Sequence, residues 1–232
     1  MAKKPFGLTP AAPPRRAMEP VVQESTASMV ANRVRAAITQ GHIAPGAQLG
    51  EAELARELGV SRGPLREGLQ RLTAEGLLVS IRNRGLFVIE ITPERVGDVY
   101  VARQAVERAA AEQVHLHDPR AAGAALMTII ETMATAPDSN AVGDADIAFH
   151  EKLVALAESP RLTRMHNILL TETRICIRAL EASYAEEGDG RFAEHRAIAQ
   201  SFLDREPGLT DKLLVAHMKD AVQRLTAAAA SI

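Results

Sequence analysis

An aspartate and three histidines carry the strongest chemical signal in this 232-residue chain. Asp146 and His150 stand four positions apart, so on a helix they project side by side, as two ligands of one ion would. Val154 and Ala157 continue that face, flanked by Ile147 and Leu153. His195 shares a helical stripe with Phe192, Ala199 and Phe202, and His217 one with Leu213, Leu214, Ala221 and Leu225. One histidine on an apolar face is ordinarily a core residue satisfied by a hydrogen bond. An Asp and three His facing inward from three helices ask for more, because a buried carboxylate needs compensation. A His₃Asp set suits a divalent transition metal, zinc foremost and nickel or manganese otherwise, with a position left for water or an oxygen-bearing ligand. From spacing alone the metal and the satisfied core stand level. Arg103, on the stripe of Val96, Val99, Val106 and Ala110, also has two readings. It grips a carboxylate with two hydrogen bonds, or it pairs with Glu107 one turn on. His42 falls in a turn. His115, His117 and His166 lack partners at helical spacing and read as surface or helix-end residues.

The elements that must position these side chains are helices. Six helical segments are expected, at about 93–117, 119–135, 140–157, 160–185, 191–205 and 210–229. Breaks fall at Asp118-Pro119, Pro137 to Asn140, Ser159-Pro160, Gly188 to Gly190 and Glu206 to Gly208. Loops this short force mostly antiparallel neighbours, hence a compact bundle. Hydrophobic residues make up 47% of the chain but aromatics only 3%, with no Trp, so the core is built of Ala, Leu, Val and Ile and favours helix. The lone cysteine, Cys176, excludes an intramolecular disulfide, fits a reducing cytoplasmic compartment and reads as a packed thiol. No signal-peptide core and no run of about 18 apolar residues is present, so nothing is expected to span a membrane.

Upstream the pattern changes. Residues 51–76 read EAELARELGVSRGPLREGLQRLTAEG. Leu54, Ala55 and Leu58 make a short apolar stripe, Gly59 stops the helix, and Ser61 is an N-cap candidate with Pro64 in the first turn. The second helix buries Leu65, Leu69 and Leu72 and turns Arg62, Arg66 and Arg71 outward. That is the pattern of a DNA-binding helix-turn-helix. A preceding helix spans about Ser25 to Gln40, and Leu49 drops into the core from a turn. Two β-prone runs, 77–81 and 86–89, flank the tip Arg82-Asn83-Arg84-Gly85, a hairpin that resembles a wing able to reach a minor groove or phosphates. Net charge is −2, which by itself argues against nucleic acid. Residues 1–92 nevertheless hold 12 Lys and Arg against 8 Asp and Glu, and residues 93–232 hold 15 against 21. Only the first part is therefore suited to phosphate. Thr92 and Pro93 cap the next helix, so the linker is very short. The expected organisation is a flexible Pro-rich tail at 1–22, a winged helix-turn-helix at 23–91 (three helices plus a β-hairpin) and an all-α six-helix bundle at 92–230.

The string Ile38, Gly41, Pro45-Gly46, Leu49, Glu51, Leu54-Ala55, Leu58 to Arg62, Pro64 to Glu67, Leu69, Leu72, Glu75 to Leu77, Gly85 and Val88 resembles the N-terminal domain of the GntR family of bacterial transcription regulators. The second half is similar to the helical effector (FCD) domain of the FadR-like subgroup, through Arg103 with Glu107, Asp146-x-x-Phe149-His150, His195 and His217. Six helices resemble the VanR-type branch more than the seven-helix one. The resemblance implies a homodimer with two winged helices on a palindromic operator. It implies base contacts by Arg62 and Arg66, DNA contacts by Ser61, Gly63 and Arg35, and a wing contribution from Arg82 and Asn83. It implies that Asp146, His150, His195 and His217 are metal ligands, and that a small organic acid effector meets Arg103. Some members carry a DNA-contacting arginine where this chain has Ala52, so the operator differs or Arg56 reaches phosphate instead. A rival reading, a helical metal-dependent hydrolase or lyase, lacks an evident acid or base beside the ligands and leaves the helix-turn-helix without a purpose. A third reading keeps the DNA-binding regulator and makes its metal purely structural.

Overall fold

In a computed structural model, residues 24–179 and 188–229 are described. The tail expected at 1–22 and the end of the segment drawn to 185 lie outside them. The first helix, α1 (Thr26–Thr39), starts where the Ser25 side chain accepts from Ser28 N–H, and it buries Val30, Val34 and Ile38. α2 (Glu51–Leu58) ends at Gly59, whose φ of 65° is the left-handed cap that only glycine adopts without strain. α3 (Arg62–Ala74) buries Leu65, Leu69 and Leu72 as its spacing requires. Ser61 occupies the N-cap position of α3 in extended backbone, but its hydroxyl makes no capping hydrogen bond.

α1 and α3 approach closely at Gly68. A Cβ there would stand 2.8 Å from both the Ala27 carbonyl oxygen and Val30 Cγ1. Gly68→Ala is therefore expected to destabilise the protein by about 1–3 kcal/mol, the usual range for overpacking. Denaturant unfolding measures it, and an unchanged midpoint would mean the two helices can part.

The hairpin forms between β2 (Leu78–Ile81) and β3 (Gly85–Val88), in the register Leu78 to Val88 and Ile81 to Gly85. Asn83 at its tip has φ 62°, a conformation asparagine tolerates better than most residues. One strand was not foreseen. β1 (Gln48–Leu49) pairs antiparallel with β3, giving the sheet order β1-β3-β2. Leu49 does enter the core, but two residues are too few to show a period of two.

Six helices follow among the described residues: α4 (Pro93–Leu116), α5 (Pro119–Ala134), α6 (Ser139–Ala155), α7 (Pro160–Ala179), α8 (Gly188–Leu203) and α9 (Pro207–Ala229). Side chains of Thr92, Asp118 and Asp138 cap α4, α5 and α6. α8 begins three residues before the expected 191, because a glycine inside a helix costs about 1 kcal/mol but does not forbid it. α4 packs on α7 and α9, and α5 on α6 and α8. One apolar core gathers Leu126, Phe149, Leu153, Ile198, Phe202 and Leu214, and a second Val96, Tyr100, Ile147, Leu170 and Met218. Cys176 is buried in the second, and burial pushes its thiol up to about 12, as a packed thiol requires. No helix among the described residues is long and apolar enough to cross a membrane.

The winged unit and the bundle share more than the linker. Ile175 of α7 sits in the winged-helix core with Leu65, Leu72 and Leu77. Arg95 of α4 donates from Nε to Glu172 of α7 (3.1 Å) and from Nη2 to the Gly76 carbonyl just past α3 (3.1 Å).

Candidate metal centre and DNA-reading face

α6 supplies Asp146 and His150, α8 His195 and α9 His217, and all four are buried. One ligand atom from each lies within 4.8 Å of the others. His150 Nε2 is 3.1 Å from His217 Nε2 and 3.3 Å from His195 Nε2, and His195 Nε2 is 3.1 Å from Asp146 Oδ1. The far sides of two rings are held by carboxylates. His150 Nδ1–H donates to Glu107 Oε2 at 2.6 Å, and His217 Nδ1–H to Glu194 Oε2 at 2.7 Å.

The electrostatics agree with that assignment. Burial opposes ionisation of Glu107, but His150 and the Arg103 guanidinium, with hydrogen bonds from His150 and His166, hold it well below the usual carboxylate range. Burial lowers His150 to about 4 against the pull of Glu107, and lowers His217 to about 3 with help from His195. Both rings are therefore neutral at pH 7. Burial likewise opposes charge on Asp146, yet the hydrogen bond and charge of His195 keep it ionised.

The consequence is chemical. With their protons on Nδ1, His150 and His217 present bare Nε2 lone pairs to one another at 3.1 Å. Two facing lone pairs in a buried site repel unless positive charge lies between them. Nitrogens bound to one zinc at about 2.0–2.1 Å stand roughly 3–3.5 Å apart, so the spacing is that of an ion's ligands. Carboxylates behind the ligating rings are the usual means of fixing tautomer and orientation. The donor set fits a divalent transition ion.

Several expectations change here. Arg103 is 1% exposed and makes the plainer of its two pairings, with Glu107 through Nε and Nη2 at 3.1 and 3.0 Å. Its Nη1 donates to Thr173 at 3.4 Å, and its guanidinium lies 4.8 Å from the Tyr100 ring. Through Glu107 it is joined to His150. His166, set aside as a surface residue, is buried, and its Nε2–H donates to Glu107 Oε1 at 2.9 Å. His115 is half-buried, bonded to Thr210 and stacked on Phe202. Both were missed because their partners lie on other helices, which intrahelical spacing does not report. Glu107 was noticed only as a possible partner of Arg103, and Glu194 not at all. The buried stripe on both sides of Glu107 was the available signal for the first, and adjacency to His195 for the second. Both bond through ring Nδ1 atoms, so they hold ligands in place and are not aimed at an open position.

On the winged unit Arg62, Arg66, Ser61 and Gly63 are exposed at the start of α3, and Arg82 and Asn83 at the wing tip. Arg66 Nε donates to Glu51 at 2.7 Å, a contact made through Nε alone. Arg35 is paired within the fold. Its Nε and Nη2 bind both oxygens of Glu75 at 2.7–3.1 Å, which ties α1 to the end of α3. Arg56, offered as a phosphate contact in place of Ala52, is exposed beside Glu53.

A winged helix-turn-helix wired to a helical bundle with a buried donor cluster defines a class, the DNA-binding transcription regulator with an attached sensor domain. Residues 26–88 match the model of the gntR family of bacterial regulatory proteins, and residues 98–220 match the FCD domain. The chain belongs to the GntR family and carries an FCD domain; its relatives are regulators and not enzymes. It is 29% identical over 185 residues to the Nta operon transcriptional regulator of Aminobacter aminovorans, covering 77% of this chain and 84% of that one. It is also 29% identical over 202 residues to the "Probable D-xylose utilization operon transcriptional repressor" of Paenarthrobacter nicotinovorans, covering 85% and 88%. Among solved structures, a GntR-type transcriptional regulator from Rhodococcus sp. RHA1 superposes with a TM-score of 0.74 at 27% identity, over 87% of this chain and 97% of that one.

Proposed function

We propose that this regulator is a cytoplasmic, homodimeric repressor whose affinity for a palindromic operator is set by a small organic acid bound at the Asp146, His150, His195 and His217 centre. The observation that carries the reading is the gathering of one donor atom each from Asp146, His150, His195 and His217 within 4.8 Å, with His150 Nε2 3.1 Å from His217 Nε2. A divalent ion there, zinc foremost with nickel or manganese as alternatives, supplies a Lewis-acidic position that an acid's carboxylate can complete. A surface cavity of about 370 Å³ touches the outer side of His217 and is lined by Glu194, Lys219 and Asp220. Repression is supported by relatives named for operon control, one of them as a repressor.

On this reading Arg62 and Arg66 read base edges, Ser61 and Gly63 bring the start of α3 against the backbone, and Arg82 and Asn83 engage DNA through the wing. Arg35 acts at one remove by fixing α3 through Glu75. Arg66→Ala is expected to weaken operator binding by about 1–3 kcal/mol while changing competitor binding less, since a base contact discriminates and a phosphate contact does not. Titration against an operator selected from random duplexes measures both, and equal losses would make Arg66 a phosphate contact.

The effector reading is tested by a thermal-shift screen of small organic acids with and without zinc. An effector should raise the melting temperature of the zinc-loaded protein and leave the metal-free protein unchanged, because only a ligand of the native state stabilises it. Acids that act equally on both, or none that act at all, would leave a regulator whose metal is purely structural.

A further inference from the structure

We propose that α7 is a rigid relay between the metal centre and the recognition helix α3, with Glu107 as its input and the chain Glu172–Arg95–Gly76 as its output. The proposal rests on the reading of the four-ligand centre given above.

The input end is a set of discrete contacts. Glu107 binds the ligand His150 with one oxygen and His166 of α7 with the other. Arg103 joins the same carboxylate to Thr173, a second α7 side chain. The Thr173 hydroxyl donates to Leu169 within α7 and so receives the Arg103 bond as an acceptor. Any change in where His150 holds Glu107 is therefore passed to α7 at two points about two turns apart on one face. His166 spends only one ring nitrogen on this contact, and its Nδ1 is buried without a partner. The ring is 1% exposed, so packing together with the Glu107 bond holds it in place.

The output end lies on the same helix. Glu172 stands six residues beyond His166, about 9 Å along a helix of 1.5 Å rise, too short a span to absorb a displacement by bending. Glu172 holds Arg95, and Arg95 donates to the carbonyl of Gly76, which closes the end of α3. Ile175, one turn further, is 1% exposed in the winged-helix core among the leucines of α3. Through Arg95, Glu172 thus reaches the carbonyl just past α3, while Ile175 joins the apolar core that α3 shares with α1. Coupling of this kind requires an unbroken physical path with an element both sites bias, and α7 is that element.

The test uses the purified full chain, zinc alone as the probe, and amide hydrogen exchange as the readout. In the wild type, one equivalent of zinc should slow exchange across residues 62–76 at least threefold, together with α6, α8 and α9. Glu172→Met and Arg95→Met, which each remove the contact outright, should each bind one zinc and protect the bundle, yet lose the protection at 62–76. Two variants are named so that a failure of one to fold does not decide the question. A well-folded variant of either kind that keeps the wild-type protection at 62–76 overturns the relay. So does a wild type that takes up zinc and shows no change there. A wild type that takes up no zinc overturns the centre itself, and the relay with it.

Discussion

Replacing His150 with alanine should lower zinc affinity by well over 100-fold. Loss of an outer partner alone typically costs roughly 10–100-fold, and His150 is an inner one. Its Nε2 lies 3.1 and 3.3 Å from the nitrogens of His217 and His195, and its Nδ1 is seated on Glu107. The imidazole is 0% exposed, so no solvent-borne group can stand in for it. Competition with a chelator of known affinity gives the constant, and elemental analysis gives ions per chain. His150→Ala protein that retains zinc at wild-type stoichiometry and affinity would dissolve the proposed ligand set.

The second large effect concerns Glu107. Glu107→Gln keeps the side chain's shape and removes its charge, leaving Arg103 at 1% exposure beside a neutral amide. Breaking one partner of a buried pair typically costs about 3–5 kcal/mol, since the other charge stays buried without compensation. Urea unfolding of metal-free protein isolates this loss from any change in metal binding. The double variant Glu107→Gln with Arg103→Met should recover part of it, because the orphaned cation is gone. A single variant as stable as the wild type would mean that the carboxylate contributes no net stability, and that its place in the core serves the centre alone.

The four candidate ligands were visible because each repeats the same local fact, a polar residue on an apolar helical stripe. Helical spacing assigned Asp146 and His150 to one face without any knowledge of what that face meets. It could not rank the two readings of Arg103, since the pair with Glu107 and a grip on a ligand use the same face of the same helix. His166 escaped because its partner lies 59 residues away on α4, and no periodicity within α7 marks it. The helix-turn-helix was legible from Gly59, Ser61 and three leucines, all local signals. β1 was not, because a two-residue strand exists only through its partner. Arg35 shows the limit in another form. Its carboxylate partner stands 40 residues on, so no local spacing announces the pair that the fold makes.

Ile175 also bears on how divisible the molecule is. A boundary at residue 92 looks like a clean place to cut, with a capping threonine and a proline marking a fresh start. A fragment ending there would leave behind a side chain that fills its own core. It should be less stable than its helix count suggests, and a head transplanted onto another family member's bundle would meet whatever that member carries at this position. The two halves are modules in sequence and in topology, but not in packing. Any chimera built from this chain must carry a residue of matching shape at 175.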